Sequence, residues 1–182
     1  MTAADVTVIT PCSRPGNLMR LWQSIPAQAT WLVVLDSAEP IESRDSNRLM
    51  LSHCDPLSVG GNAQRNYALD RVETPYVYFL DDDNIIHPDF FAAVFGVMHD
   101  GDMVAVDQVF ADGKPRLTAG DMRQNHCDTA QFLTPMSTIG DVRWRVDIRC
   151  QDGIFFPAVY ARSPSKLRIM NEPLSYWNYL RP

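Results

Sequence analysis

The chain has 182 residues, 46% of them hydrophobic, which suffices for one domain with a sizeable core and is too little for two independent ones. Its 16 basic residues are outnumbered by 22 acidic ones, and the formal charge of -6 repels polyanions; this argues against nucleic acid as the main partner and still permits a nucleotide held through a divalent cation. The longest apolar stretch, Phe90 to Met98, is too short to span a bilayer, and residues 1–5 lack the basic start and apolar run of a secretory signal, so no transmembrane segment and a cytoplasmic location are expected.

Val6 to Thr10 is a β-branched run stopped by Pro11, and the Ser13-Arg14-Pro15-Gly16 turn leads into a helical segment over Asn17 to Ser24. Trp31 to Leu35 repeats the strand signal and ends at Asp36. The polar stretch Ser37 to Arg48 reads as an exposed connection, and Leu49 to Ser52 as a third short strand. Gly60-Gly61 breaks the chain before a helix with one buried side, beginning at Asn62. Tyr76 to Leu80 is the clearest strand. Pro88-Asp89 opens a helix running to about Asp100, and Met103 to Phe110 returns as a strand. Apolar strands alternating with helices predict an α/β fold, a mostly parallel sheet covered by helices on both faces. From Ala111 the pattern loosens into turns at Asp112-Gly113, Ala119-Gly120 and Gly140-Asp141, with a further helix beginning near Asp152. Without repeats or linker-like tracts, residues 1–182 read as a single domain.

Three consecutive aspartates, Asp81, Asp82 and Asp83, follow the clearest strand, where like charges repel and raise one another's pKa unless a cation joins them. On an extended backbone Asp81 and Asp83 share a side, which makes a pair of hard oxygen ligands suited to Mn2+ or Mg2+. An acidic helix-capping turn is the other reading of the same residues. Asp36 closes the second strand, in the place where open parallel sheets line a ligand crevice, and reads either as a nucleoside contact or as a turn aspartate. Arg65 reads as a base or diphosphate contact or as a solvated helix residue. Cys12, Cys54, Cys127 and Cys150 are widely scattered and form no CxxC pair, which suggests neither a zinc site nor a disulfide framework and predicts mostly buried reduced thiols.

In this order the motifs resemble the family 2 glycosyltransferases of GT-A fold, a Rossmann-like architecture. The resemblance spans Val6 to about Phe156 and rests on Val8-Ile9-Thr10-Pro11 with Arg14-Pro15, on Gly61-Asn62-Ala63-Gln64-Arg65-Asn66, and on Tyr78-Phe79-Leu80-Asp81-Asp82-Asp83 as a DXD motif. It implies a donor half at about 1–110 and an acceptor half at about 111–182. The candidate donor-binding residues are Thr10, Pro11, Asp36, Arg65, Asp81 and Asp82, and the candidate metal ligands are Asp83, Asp81 and His126. Asp152, in Gln151-Asp152-Gly153-Ile154-Phe155-Phe156, stands at the family's later acidic motif, with Gln151 replacing the usual first carboxylate. The resemblance makes it the candidate base; on the residues alone the helix-cap reading is the stronger one.

The implied activity is metal-dependent, inverting transfer of a sugar from a nucleoside diphosphate donor, UDP-sugar favoured, to a saccharide, lipid-linked or protein hydroxyl. His126 with Asp128 behind it reads as a ligand or as a loop histidine without a role, and His87 is a weaker candidate. Tyr176-Trp177-Asn178-Tyr179 offers aromatic surface for a sugar, for the core or for a homo-oligomer contact. The chain is also shorter than many family members, which implies an acceptor site left open or completed by a second subunit or partner. A nucleotidyltransferase is the first alternative, weakened by the glycine-poor Thr10 to Pro15 loop. A nucleotide-sugar-binding protein of the same fold without turnover is the second.

Overall fold

The computed structural model describes residues 1–149 and 152–181; Cys150 and Gln151 lie outside them. Among the described residues nine strands form one sheet: β1 (Val6–Cys12), β2 (Thr30–Leu35), β3 (Glu42–Asp45), β4 (Arg48–Ser52), β5 (Tyr76–Phe79), β6 (Met103–Phe110), β7 (Pro115–Leu117), β8 (Phe132–Pro135) and β9 (Leu167–Trp177). The sheet order is β3-β4-β2-β1-β5-β8-β6-β7, with β9 also on β6. Around them lie α1 (Leu18–Ser24), α2 (Asn62–Leu69), α3 (Phe90–Val97), α4 (Met136–Ile139) and α5 (Asp152–Arg162).

Strand alternation sorts the core onto two faces. Val6, Val8, Trp31, Val33, Tyr76 and Tyr78 pack on one side with Leu21 of α1 and Phe90, Phe91 and Val94 of α3. Ile9, Leu32, Val34, Val77 and Phe79 pack on the other with Ala68 and Leu69 of α2 and Phe155, Phe156 and Val159 of α5. Helices therefore cover both faces, which explains why β1 is buried along its whole length. Each large apolar side chain removed from water here contributes about 1.5–3 kcal/mol before entropy is counted.

The expected parallel arrangement holds in the first half, where β4, β2, β1 and β5 run parallel in sequence-crossing order. The second half differs. β8 is inserted antiparallel between β5 and β6, and only β9 is parallel to β6. The sheet is thus mixed. Part of the polar connection before β4 is itself the edge strand β3, fully exposed and turned back through Ser46, whose φ is 53°. α3 stops at Val97 instead of near Asp100, because Met98 is already extended.

Candidate functional site

Strands β1, β2 and β5 end on one rim of the sheet, and a cleft of about 310 Å³ opens there between Pro11, Ser13, Arg14, Asp36, Gly61, Gln64, Arg65, Asp81, Asp82, Asp83 and Arg181. This is the rim at the carboxyl ends of the parallel strands, where open α/β sheets bind ligands. Gly61 has φ 76°, and a Cβ there would stand 2.7 Å from Cβ of Pro11, so only glycine lets the start of α2 approach the β1 loop this closely. Gln64 then reaches across the cleft, donating 3.1 Å to Oδ1 of Asp36 and 3.0 Å to the His53 carbonyl.

The three aspartates have three different occupations. Asp82 is buried and accepts from the backbone N–H of Ser13 and of Arg14, each at 2.7 Å, from the Ser13 hydroxyl at 3.1 Å, and from the Arg14 guanidinium. Its carboxylate therefore shapes the loop after β1. It lines the cleft as a clamp, with the backbone carbonyl of the same residue accepting 2.8 Å from Asn17 Nδ2. Asp81 pairs with Nη2 of Arg65, whose Nη1 donates 2.6 Å to the Gly60 carbonyl and 3.2 Å to Asn62 Oδ1. Asp83 is buried, contacts Arg181 Nε at 2.6 Å and Arg14 Nη1 at 3.4 Å, and has its pKa raised by burial and by Asp81 against the pull of those two arginines.

Arg65 is nearly inaccessible, with 5% of its side chain exposed. Burial opposes its charge, but Asp81 and then Asp152 outweigh that cost and hold it ionised. Its guanidinium also lies 4.9 Å from the Trp144 ring centroid. The two asparagines flanking it in α2 secure the chain before α5. Asn62 donates to the carbonyls of Arg145 and Ile148 at 2.9 and 3.0 Å, and Asn66 exchanges bonds with Trp144 at 2.8 and 2.9 Å. Trp144 in turn stacks on Phe155 at 4.1 Å, which sets the first turn of α5 and its leading residue Asp152.

Asp152 meets a second acidic residue, Asp128. Burial first, then Asp128, push Asp152 up to about 8, while Arg65 and Arg116 pull it down. Burial, then Asp81, push Asp128 up to about 6, opposed by Arg116. The two titrate as a unit. Asp128 is fixed from its own side: it accepts 3.2 Å from the Ala130 N–H, capping the short helical turn Thr129–Gln131, and faces Arg116 at 3.5 Å. The loop ahead of it presses on α5, since a Cβ on Gly153 would stand 2.2 Å from Cα of Gln124.

Of the residues singled out from the sequence, Pro11, Asp36, Arg65, Asp81, Asp82 and Asp83 line one cleft. Thr10 does not. Its side chain points into the sheet packing, fully buried, and its hydroxyl accepts 3.0 Å from Trp31 Nε1. His126 also lies outside the cleft lining; it is half-exposed and stands 3.3 Å from Asp121, because the turn closed by its N–H on the Arg123 carbonyl folds it back onto its own loop. His87 stacks beside Tyr176 with centroids 5.1 Å apart. Cys12 and Cys127 are buried, their thiol pKa values raised to about 11 and about 12 by burial and then by Asp82 and Asp152 respectively, whereas Cys54 is exposed. Arg14, Gln64 and Arg181 belong to the site without having been singled out as site residues. Arg14 and Gln64 stand within the recognisable motifs, while Arg181 carried no local signal.

Among the described residues no group of three or more His, Cys, Asp or Glu side chains is arranged to hold a metal ion. Asp81 and Asp83 line the same cleft and supply hard carboxylate oxygens, the ligand type Mg2+ and Mn2+ take when one or two carboxylates are joined by phosphate and water. Asp83 is already paired with two guanidinium groups, and a divalent cation bound there would compete with them.

Several solved structures share this architecture. S. aureus TarS 1-349 in complex with UDP superposes with a TM-score of 0.73 at 16% identity, over 97% of this chain and 60% of that one. The same protein with UDP-GlcNAc gives 0.72 at 17%, over 97% and 58%. The mannosyltransferase PcManGT from Pyrobaculum calidifontis, in complex with GDP-Man and Mn2+, gives 0.64 at 12%, over 96% and 56%. The chain thus spans about 60% of the length of the TarS 1-349 structure. No curated protein matches it in sequence. Residues 55–160, more than half of the chain and including both the Arg65 helix and the three aspartates, match the family described as glycosyl transferase family 2. The chain belongs to glycosyl transferase family 2 and has the GT-A fold.

Proposed function

We propose that this protein transfers a sugar from a nucleoside diphosphate donor to an acceptor hydroxyl with inversion at the anomeric carbon. The observation that carries this reading is the convergence of Asp36, Arg65, Asp81 and Asp83 on one cleft at the strand ends, with Asp152 electrostatically tied to it through Arg65. Asp36 and Pro11 take the nucleoside end. Asp81 and Asp83 would hold Mn2+ or Mg2+, which when bound would supply positive charge beside the diphosphate leaving group. UDP is the favoured nucleotide, since two of the similar structures hold UDP or UDP-GlcNAc, while GDP is supported by the mannosyltransferase.

Asp152 acts as the base, accepting the proton of the acceptor hydroxyl as that oxygen attacks the face opposite the leaving diphosphate. One base facing one leaving group gives inversion. Its raised pKa makes the ionised carboxylate a stronger proton acceptor than an ordinary aspartate, and the group takes that form as pH rises toward about 8. Arg65, paired with Asp81 and within the field of Asp152, limits the repulsion between the two carboxylates. The donor half, about 1–110, supplies the cleft, and the acceptor half, about 111–182, supplies Asp128 and Asp152. The acceptor is a saccharide, lipid-linked or protein hydroxyl. No helix among the described residues is long and apolar enough to cross a membrane.

The test is slow transfer to water, followed by proton NMR with UDP-sugars and GDP-mannose in Mn2+. Initial release of the sugar with the anomeric configuration opposite to the donor's supports the proposal; release with retention, or no turnover of any donor, contradicts it.

A further inference from the structure

The C-terminal end of the described chain returns to the acidic end of the cleft. Asn178, with φ 50°, turns the chain after β9; the N–H of Tyr179 then donates 3.2 Å to Asn84 Oδ1, and that of Leu180 donates 2.7 Å to the carbonyl of Asp83. Leu180 is buried in the core face that holds α1 and α3. These anchors deliver Arg181 to the cleft lining, with Nε 2.6 Å from Asp83 Oδ2 and about half of its side chain exposed. At this end of the cleft three carboxylates, Asp81, Asp82 and Asp83, meet three guanidinium groups, Arg14, Arg65 and Arg181.

Arg14 and Arg65 are fixed by further bonds, Arg14 to the Asp82 clamp and Arg65 to Gly60 and Asn62. Arg181 touches only Asp83 among the charged contacts of its side chain described here, and it is the member of the trio that can turn away. We propose that Arg181 is a donor-diphosphate ligand that holds Asp83 in the free enzyme and passes to the diphosphate oxygens when a divalent cation takes its place on Asp83. This rests on the donor reading given above and specifies how that site loads.

Charge decides the order of events. With three positive groups against three negative ones, a divalent cation alone must displace a guanidinium from a short contact, and a diphosphate alone enters a site whose positive groups are already engaged. A divalent cation and a sugar nucleotide with its two negative charges arrive together without net change, and the freed Arg181 gains a bidentate phosphate partner. Metal and nucleotide therefore bind synergistically.

The experiment is Mn2+ binding followed by electron paramagnetic resonance, with and without UDP or GDP, on the native chain, Arg181→Ala and Arg181→Lys, with circular dichroism melts as a folding control. In the native chain nucleotide tightens Mn2+ binding. In Arg181→Ala, Mn2+ alone binds tighter and nucleotide at saturating Mn2+ binds weaker, each by roughly tenfold, so the synergy collapses; Arg181→Lys retains part of it. If the native chain shows the synergy and a folded Arg181→Ala matches it, the role of Arg181 is overturned while the donor site stands. If the native chain binds neither nucleotide, the donor reading falls and takes this inference with it.

Discussion

Asp152 and Asp128 are two half-buried acids whose charges oppose one another, and their protonation sets a pH dependence that can be measured. A base works only after losing its proton, so the rate constant at saturating donor rises as pH rises through the range near 8 where Asp152 ionises. Replacing Asp128 with Asn removes a neighbouring negative charge that opposes this ionisation, and the rising limb moves to lower pH. Stability carries the opposite signature. Both groups have folded pKa values above the unfolded value of about 4, so their contribution is present below that value and is lost as pH rises toward about 8. Thermal melts across this window should show a shallower decline for Asp128→Asn than for the native chain. Asp152→Asn is expected to lower the rate constant by roughly 10²–10⁴-fold with nucleotide affinity nearly unchanged; an equal loss of nucleotide affinity would place Asp152 in donor binding instead.

Loops and helix ends decide which carboxylate does what. Asp82 was expected among the donor-binding residues, and its oxygens hold the Ser13-Arg14 backbone. Asp82→Ala leaves two backbone N–H groups unpartnered and the Arg14 guanidinium with Asp83 alone, with an expected cost of about 2–5 kcal/mol, read by denaturant unfolding. Gly153→Ala drives a methyl group into the backbone of Gln124, and either the loop carrying Asp128 or the start of α5 must move. A stability loss of at least about 1–3 kcal/mol, together with a fall in turnover, is expected. β1, β2, β5 and β6 were legible in the sequence because burial on both faces makes a strand a continuous apolar run. β3 was not, because an exposed edge strand made of Glu42, Ser43, Arg44 and Asp45 has no apolar pattern to read. β9 hides for another reason. It carries Pro173, accommodated where its register on β6 slips near Asp107, and a proline within a run argues against a strand until the bulge is seen.

At the scale of the whole molecule, the sheet gathers residues from widely separated segments on one rim. Asp36, Gly61, Arg65 and Asp81 to Asp83 were legible because each stands at a strand end or helix start within a short motif. Arg181 was not legible, since its place depends on β9 crossing beside β6 and the chain then returning to Asp83. Thr10 and His126 went the other way: each neighbours site residues in sequence, but strand alternation and a turn direct their side chains elsewhere. The two arginines on Asp83 also stand where a bound cation would compete, so removing that carboxylate should uncouple nucleotide binding from metal. Calorimetric titration of UDP, GDP and dTDP with and without Mn2+, on the native chain and on Asp83→Ala, tests the donor site most directly. Metal-dependent binding of one nucleotide, weakened by roughly a hundredfold or more in the variant, is the predicted result; binding that ignores both metal and the substitution, or no binding of any nucleotide, would contradict it.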